Sequence, residues 1–136
     1  MATPASQGAP PSDTPNPSRI LAVVNQKGGV GKTTSALNLA ASFALDGYAT
    51  LLVDCDPQAN STSGLGFARG ADRTSVYELL LGEAEAEQAV LPTSVAGLWL
   101  IPGTRNLIGA NVELVGVESR EFRLREALAP VRTAYD

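Results

Sequence analysis

The amino-acid sequence predicts an α/β fold built on a mostly parallel sheet. Two short apolar runs, about residues 19–24 and 50–54, have the composition of buried strands. Between them, over residues 32–45, apolar side chains recur at helical spacing. A strand, a helix and a strand in this order form a βαβ unit, whose strands are parallel and whose crossover is right-handed.

Composition narrows the possible functions of the 136-residue chain, which is long enough for one small domain. There is no histidine, so His-based acid–base chemistry and His-ligated metal sites are excluded. The net charge of −4 gives no overall electrostatic footprint for nucleic acid. The single cysteine, Cys55, cannot form an internal disulfide and suggests a reducing compartment. No apolar run approaches the length of a membrane span.

The chain divides into a tail and a domain. Residues 1–18 are rich in Pro, Ala and Ser, without apolar periodicity or the features of a signal peptide. We expect this segment to be disordered. The domain is expected to occupy residues 19–136.

The glycine-rich stretch 25–34, N-Q-K-G-G-V-G-K-T-T, lies between the first predicted strand and the first predicted helix. This is the context of a phosphate-binding loop. Glycines lack Cβ atoms, so the backbone can place successive N–H groups around phosphate oxygens, beside the positive end of the helix dipole. The residues expected to bind a nucleotide phosphate are Gly28, Gly29, Val30, Gly31, Lys32, Thr33 and Thr34.

Two side chains of this stretch have the chemistry that a nucleotide site needs. Lys32 can supply a cation to the β- and γ-phosphates, and Thr33 can supply a hydroxyl ligand to Mg²⁺. The chain contains only two lysines, and both, Lys27 and Lys32, lie in this loop. This distribution favours a chemical role for each of them.

The second predicted strand ends in D-C-D-P-Q-A-N-S-T, residues 54–62. Carboxylates at the carboxyl end of a parallel strand lie on the edge where α/β sheets bind ligands. Beside a phosphate loop, Asp54 and Asp56 could organise Mg²⁺-bound water and the attacking water. Alternatively, Asp54 is a turn residue and Asp56 a cap before Pro57. Cys55 is interpreted as a small buried apolar residue.

The rest of the chain continues the α/β pattern. Residues 63–73 are predicted to form a mobile loop, followed by a short helix that Thr74-Ser75 caps and Gly82 ends. A third strand is predicted at 98–101, with Trp99 as a packing residue. Helices are predicted at 107–114 and 120–128. In the last one, Arg120, Arg123 and Arg125 are expected to pair with Glu118, Glu121 and Glu126; a DNA-binding or partner-binding surface is the alternative.

Two motifs carry a resemblance to a known family. K-G-G-V-G-K-T-T, with Gln26 where the strict motif has glycine, is the deviant Walker A signature. Together with Asn25-Gln26 and D-C-D-P-Q-A-N-S-T, it resembles the ParA/Soj family of partitioning ATPases. Weaker similarity at V-Y-E-L-L, I-P-G-T and L-I-G-A-N-V-E-L extends the resemblance from about residue 19 to the end of the chain.

The resemblance implies a P-loop NTPase-like, doubly wound domain that binds ATP and Mg²⁺ and hydrolyses ATP. It implies that Lys27 reaches the phosphates of a partner subunit and that Lys32 binds phosphate within its own site. Asp56 would position or polarise the hydrolytic water. Thr33 and Asp54 would serve the metal, with Asp54 supporting its shell.

Partners and location also follow from the resemblance. Family members form an ATP-dependent homodimer, bind DNA nonspecifically and respond to a ParB-type partner that triggers hydrolysis. They segregate chromosomes or plasmids, so a cytoplasmic, nucleoid-associated protein without a membrane role is implied.

Family chains are much longer, and in them the Tyr135-Asp136 position directly precedes the Walker B strand. The resemblance therefore implies that this strand, the adenine-contacting segment and the basic DNA-binding surface are absent. An incomplete domain is expected, poorly soluble or partly molten because an apolar strand edge is left unpaired.

Two alternatives stay open. One is a non-catalytic nucleotide-binding fragment. The other is another deviant-Walker protein, such as a MinD-like ATPase or an iron-protein-like reductase. The D-P-Q-A-N-S-T continuation favours ParA over MinD, and the chain lacks the cysteines needed to ligate an iron–sulfur cluster.

Overall fold

The computed structural model describes residues 18–136, so the disorder predicted for 1–18 concerns a segment that, except for Ser18, lies outside the described residues. The α-helices are α1 (Lys32–Leu45), α2 (Asn60–Gly64), α3 (Val76–Leu81), α4 (Ala86–Ala89), α5 (Leu107–Glu113) and α6 (Arg123–Leu128). The strands are β1 (Thr50–Val53), β2 (Leu91–Pro92) and β3 (Leu98–Ile101). Two 3₁₀ turns cover Arg120–Phe122 and Arg132–Ala134. Within the described residues, no helix is both long and apolar enough to cross a membrane.

The sheet has the order β1-β3-β2. Strands β1 and β3 are parallel, with Thr50 opposite Leu98 and Val53 opposite Ile101. The short strand β2, which the sequence did not predict, pairs antiparallel to β3. The sheet is therefore mixed, within an α/β domain of the predicted class.

Helices cover both faces of this sheet. On one face, Val53 and Ile101 pack with buried side chains of α3, α4 and α5. On the other face, Leu52 and Leu98 pack against Ala40 and Ala44 of α1. Alternate residues of a strand point to opposite faces, which explains why neighbouring apolar residues serve two different cores. Because β1 and β3 are parallel and in register, their carboxyl ends lie at the same edge of the sheet.

The strand predicted at 19–24 is not formed. Ile20, Leu21 and Val24 are 67%, 65% and 82% exposed, and the segment has no regular secondary structure. A hydrogen bond holds the first residue of this segment: the Arg19 N–H donates to the Asp136 carbonyl oxygen at 2.6 Å. A strand requires a hydrogen-bonded neighbour, and none of the described residues pairs with 20–24, so the apolar run stays outside the sheet.

Local signals predicted α1 and α3 accurately, whereas α2 was not predicted and the helix predicted at 120–128 is a 3₁₀ turn followed by α6. Helix α1 has the predicted bounds, and α3 begins with a capping box between Ser75 and Glu78 and ends at Gly82 in the left-handed region. The predicted pairing of arginines with glutamates in 118–126 was wrong. Among the described residues the ion pair within 4.0 Å lies elsewhere, between Lys32 and Asp56.

Arginines near the end of the chain have other contacts. Arg123 donates through Nε to the Leu80 carbonyl at 3.0 Å, and the Arg125 guanidinium lies over the Phe122 ring. Exposed ion pairs contribute little free energy, so contacts to a carbonyl and to a ring can replace them. Trp99 packs edge-on against Tyr135, with ring centroids 5.6 Å apart, as a packing residue should.

Candidate phosphate-binding site

The glycine-rich loop leads directly into α1. Gly29 and Gly31 have φ of +71° and +87°, in the left-handed region where other residues are strained. Gly31 is the residue before the first helical position, Lys32. Asn25 shapes the other end of the loop, because its side-chain oxygen accepts the Lys27 N–H at 2.8 Å. The sequence thus folds here into a loop that strongly favours glycine at two positions.

The start of α1 is open to an anion. No side chain caps the helix, so the N–H groups of its first turn are not satisfied by a capping residue. Residues 25–31 are exposed, and Lys32 and Thr33 are half-buried at the entrance to the helix. Unsatisfied N–H groups and the positive end of the helix dipole favour phosphate at such a position.

The two sequence motifs meet at this loop. Lys32 Nζ lies 3.3 Å from Asp56 Oδ2. This contact joins the lysine of the glycine-rich motif to the second aspartate of the D-C-D-P-Q-A-N-S-T motif. The pKa of Asp56 is lowered, first because its carboxylate accepts the Gln58 N–H and then through Lys32, while partial burial opposes the shift. Asp56 is therefore anionic at neutral pH and lies beside the cation that would receive phosphate.

Asp54 has different surroundings from Asp56. It is 4% exposed. Its Oδ1 accepts the Asp56 N–H at 3.1 Å, and its Oδ2 accepts both the N–H and the hydroxyl of Thr62, at 2.8 and 2.7 Å. The Thr62 hydroxyl in turn accepts the Gly103 N–H at 2.9 Å. The carboxylate of Asp54 is thus held by protein donors on both of its oxygens.

The donor set near the loop fits Mg²⁺ better than a metal bound wholly by protein. No group of three His, Cys, Asp or Glu side chains suited to a metal ion occurs among residues 18–136. Mg²⁺ keeps several waters and is commonly held by one or two protein ligands together with phosphate oxygens. Thr33 lies at the start of α1, where such a shared site would be. Lys27 is exposed and belongs to the part of the loop that precedes the helix.

Cys55 is exposed rather than buried as predicted. The pKa of its thiol is nevertheless raised to about 11, because surrounding atoms desolvate the thiolate and the Asp54 carboxylate lies close. A protonated thiol is a poor nucleophile. Cys55 is therefore a weak nucleophile at neutral pH, despite its place between the two acids.

Sequence reasoning missed several residues around this site. Thr62 lies in α2, which the sequence did not predict, and Gly103 follows β3. A cleft of about 860 Å³ also opens beside the acidic loop, in the stretch predicted as a mobile loop. Three arginines line it, Arg69, Arg73 and Arg105. The only available signal for Thr62 was its place in the D-x-D-P-Q-x-N-x-T motif, which does not reveal its contacts.

Comparison with known proteins places this site in a family. The AAA_31 family, described as an AAA domain, matches residues 18–136. The chromosome partitioning protein ParA of Myxococcus xanthus is 50% identical over 118 residues, which cover 87% of this chain and 42% of the relative. The chromosome-partitioning ATPase Soj of Treponema pallidum is 52% identical over 118 residues, with 87% and 46% covered. The chain belongs to the ParA/Soj family.

Solved structures support the same fold for this ParA/Soj-family chain. Cobyrinic acid a,c-diamide synthase from Mycobacterium smegmatis, with bound ATP analog and magnesium, matches with a TM-score of 0.84 and 40% identity, over 88% of this chain and 48% of that one. A plasmid partition protein from Borrelia burgdorferi matches with a TM-score of 0.71 and 30% identity, over 84% and 51%. The fold is that of P-loop NTPases, in partial form.

The similarity to these relatives concerns only part of their length. The chain spans about half the length of the curated relatives that it matches. Family members are named as partitioning ATPases, and a structural neighbour binds an ATP analog with magnesium. Both signatures of the sequence lie within the matched region.

Proposed function

We propose that this chain carries the phosphate-binding half of a ParA/Soj-type ATPase that takes part in segregating a chromosome or plasmid. The observation that supports this most is the 3.3 Å contact between Lys32 and Asp56. It joins the phosphate-binding lysine to the acid of the second motif at the uncapped start of α1. A glycine-rich turn whose lysines had no role would not require the Asp56 carboxylate beside Lys32.

In the proposed mechanism, Lys32 and the loop N–H groups bind the β- and γ-phosphates of ATP. Lys32 exchanges its contact with Asp56 for phosphate as the nucleotide enters. Asp56 is then free to accept a hydrogen bond from the attacking water and to orient it toward the γ-phosphate. Its lowered pKa keeps it in the anionic form that this task requires.

Thr33 would hold Mg²⁺ with its hydroxyl, and the ion would neutralise charge that develops on the phosphate oxygens. Lys27 is proposed to act in trans. Lys27 is exposed and takes no part in the contact between Lys32 and Asp56. This supports a role toward the phosphates of a second subunit, in an ATP-dependent homodimer. A ParB-type partner, nonspecific DNA and a cytoplasmic, nucleoid-associated location belong to the same proposal through the family relationship.

Turnover of ATP by the chain with Mg²⁺ and DNA tests the proposal. The two lysines provide matched variants, because they are the only lysines of the chain and lie in the same loop. Lys32→Ala should abolish both ATP binding and turnover. Lys27→Ala should leave binding within about threefold of the parent and reduce turnover on the order of a thousandfold, as loss of a trans-acting cation does in related phosphoryl transfer.

The outcomes separate the candidates. Turnover that survives Lys32→Ala would contradict the proposed site. ATP binding that is lost in Lys32→Ala, without turnover in the parent chain, would favour the second candidate, a non-catalytic nucleotide-binding fragment. That candidate is kept because the chain spans about half of its relatives.

A further inference from the structure

Asp54 is more deeply buried than a metal-binding carboxylate in an open phosphate site would need to be. It is 4% exposed and accepts hydrogen bonds on both oxygens. A buried carboxylate is tolerated when protein donors replace its water. Here those donors come from the Asp56 backbone and from both donor groups of Thr62.

Thr62 connects Asp54 to the neighbouring strand. Its hydroxyl donates to Asp54 Oδ2 at 2.7 Å and accepts the Gly103 N–H at 2.9 Å. This double task needs a group that is donor and acceptor at once, which serine could supply and valine could not. Through these two hydrogen bonds, Thr62 links Asp54, just after β1, to Gly103, just after β3.

Gly103 packs against the backbone of both acids. A Cβ at this position would lie 2.8 Å from the Asp54 carbonyl oxygen, 3.0 Å from Asp54 Cγ and 3.0 Å from the Asp56 carbonyl oxygen. No side chain can enter such a contact unless the backbone shifts. The absence of a Cβ at residue 103 therefore allows the two strand ends to close on the acidic loop.

We propose that Asp54 and Thr62 are positioning residues that hold the loop carrying Asp56, and that Asp54 is not a direct ligand of Mg²⁺. The Asp56 N–H is fixed on Asp54 Oδ1, so the backbone of Asp56 is held on one side by Asp54. Its carboxylate reaches Lys32 on the other side. The significance of this for hydrolysis rests on the proposed function, but the anchoring itself can be tested without nucleotide.

Amide hydrogen exchange on the whole chain is the first test, with residue-level readout by mass spectrometry and fragmentation below the concentration at which the chain associates. The variants are Thr62→Val, which removes the hydroxyl, and Thr62→Ser, which keeps it. Thr93→Val is the matched control, because the Thr93 hydroxyl also donates and accepts, to Leu98 and from Val95, away from the acids. In Thr62→Val, the Asp56 and Gly103 amides should exchange about tenfold faster or more, as loss of one hydrogen bond predicts.

Thr62→Ser and Thr93→Val should leave both of those amides within about twofold of the parent chain. Unchanged exchange at Asp56 and Gly103 in Thr62→Val would overturn the proposal. If Thr62→Val fails to fold, the parent chain alone still tests it. The Asp56 and Gly103 amides must then exchange more slowly than the Gln58 amide, whose bond to Asp56 is exposed; equal or faster exchange would overturn it.

A titration of ATP turnover with Mg²⁺ distinguishes positioning from metal binding. Asp54→Asn and Thr62→Val should both lower kcat on the order of ten- to a hundredfold while the Mg²⁺ concentration for half-maximal rate stays the same. Thr62→Ser should restore most of the rate. A raised Mg²⁺ requirement in Asp54→Asn alone would make Asp54 a metal ligand and overturn the proposal. Absence of turnover in the parent chain would count against the proposed function, while the exchange result would still decide the anchoring.

Discussion

At the scale of single residues, three adjacent side chains at the end of β1 have three different environments. Asp54 is buried and held by hydrogen bonds, Cys55 reaches the surface, and Asp56 faces Lys32. The same short stretch therefore contains a carboxylate held by protein donors, a thiol with a raised pKa and an anionic carboxylate beside Lys32.

The thiol of Cys55 gives a direct chemical test of this environment. Because its pKa is raised to about 11, the thiolate fraction is small at neutral pH and should rise about tenfold per pH unit through roughly pH 8 to 10. The alkylation rate with iodoacetamide should follow this slope. The rate for a free cysteine, with a pKa of about 8.5, should level off above roughly pH 9.

N-acetylcysteine is the control thiol for this measurement, and circular dichroism at each pH verifies that the fold persists. The chain has a single cysteine, so the signal belongs to Cys55. If the rate levels off at the same pH as the control, the thiol is not desolvated. The inference that Cys55 is a weak nucleophile would then be wrong.

At the scale of elements, short helices depend on their ends. Helix α3 has six residues, too few to be stable by propensity alone. The Ser75 hydroxyl accepts the Tyr77 N–H at 3.2 Å, and Glu78 accepts both the N–H and the hydroxyl of Ser75, at 2.8 and 2.6 Å. Because Val76 and Leu79 of this helix are fully buried in the core, its capping supports one whole face of the sheet.

We therefore expect Ser75→Ala to lower the free energy of unfolding by about 1–2 kcal/mol, since it removes the two part-buried hydrogen bonds of the Ser75 hydroxyl. Urea denaturation followed by circular dichroism measures the change. Thr74→Ala, one residue earlier, is the matched control and should change stability by less than about 0.5 kcal/mol. Equal effects of the two substitutions would contradict the capping argument.

The elements also show which features a sequence can predict. Helix α1, helix α3 and the strand at 98–101 were predicted because their signals are local: apolar spacing, a cap and a glycine stop. The strand at 19–24 was predicted from the same kind of signal but is not formed. Its existence depends on a neighbouring strand, which composition cannot reveal.

The site was predictable to a similar extent. The glycine-rich loop and the two acids were predicted from motifs, and the structure brings Lys32 and Asp56 together. The contact of Asp54 with Thr62 and Gly103 could not be predicted, because Gly103 is forty-one residues away from Thr62 along the chain. Such a bond is set by the parallel pairing of β1 and β3 and not by a local pattern.

At the scale of the whole molecule, the two faces of the sheet are unequal. One face packs against α3, α4 and α5 with eight buried residues, whereas the other buries Ala40, Ala44 and Leu98. The segment 20–24, which could add a further apolar strand, lies outside both cores. Its side chains Ile20, Leu21 and Val24 are exposed to solvent close together along the chain. Apolar surfaces of this kind promote association between chains.

The 136-residue chain should therefore associate at micromolar concentration through these exposed side chains. Light scattering after size-exclusion chromatography measures association, and a thermal melt followed by near- and far-UV circular dichroism measures cooperativity. A variant with Ile20, Leu21 and Val24 each replaced by Ser is the control. These side chains contribute little to the core, so the variant should associate less while its melting temperature stays within a few degrees of the parent. Monodisperse parent protein at this concentration would contradict this prediction. A large loss of stability in the serine variant would show that segment 20–24 is packed in solution, because only buried apolar side chains stabilise a fold to that extent.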